Sequence, residues 1–129
     1  MLPAASSDPI RVLVVDDNKR ARRSLATLLA SYPQIQVIAE AADGKEAVAL
    51  AEEFHPEVVV MDVMMPEMDG IEAARRIKSA GRDVGVILIT LYGGVEKDAT
   101  DAGADVFMLK VDSGEEIVKA IERIAPAHH

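Results

Sequence analysis

Hydrophobic and polar positions alternate along this chain between two rhythms. Short, almost wholly apolar runs read as strands, and longer stretches with apolar residues at helical spacing read as helices. The first strand is Arg11–Val15, and Ala21, Leu25, Leu28 and Leu29 then mark one face of a helix that ends near Tyr32-Pro33. Ile35–Ala39 is the second strand, and Asp43-Gly44 opens a helix with Ala47, Val48, Leu50 and Ala51 on its apolar side. The His55-Pro56 turn sets up a third strand, Val58–Met61, after which Asp69 caps a helix carrying Ile71, Ala74 and Ile77. Gly85–Ile89 is the fourth strand, followed by a weakly apolar helix from Val95 to Ala102 that Gly103 stops. Val106–Leu109 is the fifth strand. Ser113, with Glu116 three residues on, then forms a capping box for a helix burying Ile117, Val118, Ile121 and Ile124.

Several strands are apolar throughout, so both of their faces are covered. Strands that alternate with helices therefore predict an α/β, three-layer doubly wound fold on a parallel sheet. A chain of 129 residues suffices for one such domain. We place it at residues 10–125, with a flexible segment at 1–9 and, at 126–129, a frayed tail or a remnant of expression cloning. With 3% aromatic residues the core must be aliphatic, and without cysteine there is no disulfide or thiolate chemistry. A formal net charge of −8 with no basic stripe argues against nucleic-acid binding by this domain. No signal peptide and no membrane-length apolar run is visible, so the expected location is cytoplasmic.

The C-terminal ends of parallel strands share one edge, where ligands bind. Here the first strand is followed by Asp16-Asp17, the third by Asp62, the fourth by Thr90 and the fifth by Lys110. Each residue has an ordinary explanation: the Asp pair as helix caps, Thr90 as a strand former, Lys110 as a solvated charge. Taken together they do not, because all would have to reach the same edge by chance. Neighbouring strands lie ~5 Å apart, so Asp17 and Asp62 can share one hard cation such as Mg²⁺. The long stem of Lys110 can bring its ammonium over Asp62, and a carboxylate so surrounded suits an incoming phosphoryl group.

The stretches VLVVDD (12–17), VVVMDVMMPEMDGIEAARRI (58–77), VILIT (86–90) and GADVFMLK (103–110) resemble the receiver domain of two-component response regulators. That resemblance implies a flavodoxin-like (βα)5 fold with strand order 2-1-3-4-5, and a phosphorelay function in which Asp62 accepts the phosphoryl group. It further implies Asp17 as a direct Mg²⁺ ligand, Asp16 acting through water, and the Met64 carbonyl completing the protein's ligands. Thr90 would bind a phosphoryl oxygen, Lys110 would pair with its charge, and Phe107 would be the aromatic switch. The implied partner is a sensor histidine kinase or phosphotransfer protein. An output domain or second copy would meet the face formed by the fourth helix, fifth strand and fifth helix. On this reading the domain is not an enzyme beyond Mg²⁺-dependent self-phosphorylation and autodephosphorylation.

Two residues depart from the pattern. Leu91 follows the switch threonine where the family normally has a small residue bordering the phosphoryl entrance, and Val111 follows the lysine in place of a proline. The second departure, with LKVDSGEEIVKAI (109–121), looks like receivers of LuxR-type helix-turn-helix regulators. The 129 residues hold no such output segment, so the chain reads as a stand-alone receiver or one cut from a longer regulator. Three other readings compete. A haloacid-dehalogenase-type phosphatase needs a second Asp where Met64 stands, and a calcium loop would put Met64 and Pro66 at ligand positions. An atypical receiver binding proteins without phosphorylation is favoured only by Leu91.

Overall fold

The computed structural model describes residues 8–110 and 113–126. Val111 and most of both terminal segments lie outside them. Five strands alternate with five helices: β1 (Ile10–Val15), α1 (Lys19–Ala30), β2 (Ile35–Ala41), α2 (Gly44–Phe54), β3 (Val58–Asp62), α3 (Gly70–Ser79), β4 (Gly85–Thr90), α4 (Glu96–Asp101), β5 (Val106–Leu109) and α5 (Gly114–Ile124). All neighbouring strands pair in parallel, in the order β2-β1-β3-β4-β5. Among the described residues, no helix is long and apolar enough to cross a membrane.

The sheet divides the core in two. Val12, Val14, Val58, Val60, Ile87 and Ile89 face α1 and α5, while Leu13, Val59, Met61, Val86 and Leu88 face α2, α3 and α4. This alternation is the period of two that a strand imposes on its side chains. It explains why β1, β3 and β4 read as continuous apolar runs: both faces are covered.

Helices α2, α3 and α5 start where the sequence says. Asp43, Asp69 and Ser113 each accept a backbone N–H from the third residue onward, as N-caps do. His55 closes α2 in the left-handed conformation, φ 49°, and Arg11 donates its guanidinium to the carbonyls of Phe54 and His55 at that helix end.

Three expectations change. The face of α1 is rotated: Ala26 and Leu29 are buried, whereas Ala21 is exposed and Leu28 lies across Gly114 at the start of α5. β2 runs past Ala39 to Ala41, because pairing with β1 continues through residues of low strand propensity. α4 has six residues, not eight, and no side chain caps its N-terminus.

Candidate functional site

The period of two continues past the strand ends and sorts the candidate residues. Asp16, Asp62 and Lys110 extend the positions that face α1 and α5, so their side chains converge on that side. Thr90 follows Val86 and Leu88 toward α2–α4, where the half-buried Phe107 also packs.

Neither aspartate after β1 caps α1. Asn18 does, its side-chain oxygen accepting the Ala21 N–H at 2.9 Å. Asp16 is instead buried, with Oδ1 accepting the Asn18 N–H at 2.9 Å and Oδ2 near the Lys110 ammonium at 3.2 Å. Asp17 is exposed. One carboxylate oxygen from each of Asp16, Asp17 and Asp62 lies within 4.8 Å of the others. Oxygen donors so placed, with one face open to water, match the chemistry of a hard divalent cation. The helix-cap explanation of the Asp pair is thus removed, and the surplus charge is real.

Asp62 is the last residue of β3 and is 6% exposed. Its Oδ1 accepts the Met64 N–H at 3.1 Å and its Oδ2 accepts Lys110 Nζ at 2.9 Å. Lys110 is fixed in turn by its own N–H, which donates to the Thr90 carbonyl at 2.8 Å. It is therefore no solvated lysine. Burial pushes the Asp62 carboxyl above its ordinary value; the Lys110 ammonium and the Met64 amide oppose the rise, and the charge of Asp16 adds to it. Burial acts to lower the Lys110 ammonium, but Asp62 and Asp16 outweigh it and the group is raised. Gly70, at the start of α3, is required by close approach: a Cβ there would overlap the Asp62 carbonyl oxygen.

Thr90 is buried, and its hydroxyl oxygen accepts the Tyr92 N–H at 3.3 Å, which leaves its proton for another acceptor. Met64, Leu91 and Tyr92, which follow the ends of β3 and β4 in the chain, are exposed, at 60%, 58% and 69%. An exposed Met64 side chain two residues after Asp62 supplies no acid/base, which removes the phosphatase reading. Tyr92 was not singled out from sequence, and neither were Asn18 and Arg22. Asn18 had a signal, since Asn is a preferred N-cap. His55, read from sequence as a surface residue, is exposed and remote from the edge.

Residues 12–122 match the profile of the response regulator receiver domain. The chain is 42% identical over 114 residues to the transcriptional regulatory protein LiaR of Bacillus subtilis, covering 87% of this chain and 54% of that protein. It superposes on the signal receiver domain of NarL from Mycobacterium tuberculosis with TM-score 0.88 and 32% identity, over 92% of this chain and 97% of the other. A two-component response regulator of the LuxR family from Aurantimonas gives TM-score 0.87 and 34% identity, over 95% and 89% of the two chains. The chain spans about half the length of the curated relatives it matches.

Proposed function

This chain belongs to the response regulator receiver family, and on that premise we propose that Asp62 accepts a phosphoryl group from the histidine of a sensor kinase or phosphotransfer protein. The observation that carries the assignment is the meeting of Asp62, Asp16 and Lys110 through hydrogen bonds of 2.9 and 3.2 Å beside Asp17. Mg²⁺, held by Asp17, Asp62 and the Met64 carbonyl with Asp16 acting through water, would supply positive charge against the phosphoryl oxygens. An Asp62 oxygen forms the new O–P bond while the P–N bond of the donor breaks, its electron pair leaving with the imidazole. Lys110 pairs with the charge that arrives. The Thr90 hydroxyl donates to a phosphoryl oxygen, and the space it vacates is open to Phe107, which propagates the change to α4, β5 and α5.

That face is then the contact for an output domain or a second copy of the chain. A module that binds proteins without phosphorylation is disfavoured, since it has no use for two buried carboxylates and an ammonium hydrogen-bonded together at the strand ends. Incubation with a small acyl phosphate tests the reading. A gain of one phosphoryl mass in Mg²⁺ and none in chelator supports it; no gain in either buffer overturns it.

A further inference from the structure

The peptide that joins Asp16 to Asp17 is held from outside the strand-end cluster. Arg22, one turn into α1, donates Nη1 to the Asp16 carbonyl at 2.9 Å and Nε to Glu40 Oε1 at 3.3 Å. Its side chain is only 13% exposed. Glu40 also pairs with the Arg23 guanidinium through its second oxygen.

Glu40 reaches α1 because of a register shift. Val12 pairs with Val37 but Leu13 with Ala39, so Ile38 is an extra residue in β2. Without it, Ala39 would continue the side facing α1. With it, the pattern flips: Ala39 packs under α2, and Glu40, opposite Val14, turns to the side of Arg22 and Arg23. Bulges that re-aim one side chain beside a functional site are a known use of this irregularity.

An ion pair alone would only tie α1 to β2. The hydrogen bond to the Asp16 carbonyl does something further. That carbonyl lies past the end of β1, on a buried residue, and needs a partner. Because a peptide unit is planar, fixing its oxygen also fixes the nitrogen and Cα of the next residue. We propose that Arg22, braced by Glu40, is a positioning residue for the cation site: it locks the Asp16–Asp17 peptide and so holds the Asp17 carboxylate within reach of Asp62.

This rests on the Mg²⁺-binding reading of the site, and calorimetric Mg²⁺ titration of the unphosphorylated protein separates the two. Arg22→Lys is the informative variant. It keeps the positive charge, so the field at the cation is preserved, but a single ammonium cannot reproduce the planar fork that spans carbonyl and carboxylate. We expect its Mg²⁺ dissociation constant to rise about tenfold, the lower end for residues that orient metal ligands from behind. Glu40→Gln, which still accepts from Nε, moves in the same direction by less. Arg23→Ala removes the other cation on Glu40 without touching the loop and leaves the constant unchanged. A purely structural Arg22 would lower the urea midpoint of Arg22→Lys and leave Mg²⁺ affinity as in the unaltered protein; that result overturns the proposal. An unaltered protein that binds no Mg²⁺ overturns the underlying reading, and this inference with it.

Discussion

At the scale of the residue, the site is an electrostatic conflict held in place by the fold. Three carboxylates share the cleft with one ammonium, and burial lifts Asp62 above the ordinary carboxyl value of 3.8. A raised carboxyl means the native state binds that proton more tightly than the unfolded chain. Its contribution to stability therefore falls as pH rises from the ordinary value through the raised one, and the full cost is present only above the raised value. Asp62→Asn is expected to resist urea better than the unaltered protein at pH 7 in metal-free buffer. The gap should close in acid and narrow when Mg²⁺ is added; an Asn variant no more stable at pH 7 would contradict this. Leu91 leads to a second expectation. An apolar side chain at the proposed entrance would obstruct small donors and the in-line approach of hydrolytic water. Leu91→Ala should speed both phosphorylation by a small donor and decay of the phosphorylated state, with little loss of stability at so exposed a position. Loading and decay assays decide it. Unchanged rates would mean that the side chain, 58% exposed, points clear of the path.

Elements differ in how firmly the fold holds them. β3 is buried at every residue and is flanked by β1 and β4, which makes it a rigid base for the proposed nucleophile at its tip. By contrast α4 is six residues long, buries Ala99 alone, lacks a side-chain cap and follows Gly93-Gly94. It is the element with least to lose by moving. Hydrogen exchange with and without beryllofluoride should therefore differ most across α4, β5 and the start of α5. Changes confined to α1 and α2 would contradict the proposed route from Thr90 and Phe107. Element boundaries were legible from sequence where a capping residue announced them, as at Asp43, Asp69 and Ser113. They were not where tertiary pairing overrode propensity. Ala39-Glu40-Ala41 has no strand signature of its own, and only the bulge at Ile38 explains why Glu40 points to α1.

For the molecule as a whole, topology does what no single residue announces. The reversal of strand order places β1 and β3 side by side, so carboxylates 46 residues apart in sequence, Asp16 and Asp62, come to share one lysine. The sequence carried the fold, because the alternation of apolar runs and amphipathic stretches leaves few other packings. It carried the strand-end residues too, because a parallel sheet must deliver them to one edge. What it did not carry is the support behind them: Asn18 taking over the cap, and Arg22 gripping a backbone carbonyl. Such contacts depend on rotamers and register, which leave no periodic trace. Every proposed step, from the donor histidine to the α4–β5–α5 face, depends on Asp62 as the phosphoacceptor. Its most direct test is the intact mass of the unaltered protein and of Asp62→Asn after incubation with a small acyl phosphate and Mg²⁺. One added phosphoryl group is expected on the former and none on the latter; equal phosphate on both would contradict the assignment of Asp62.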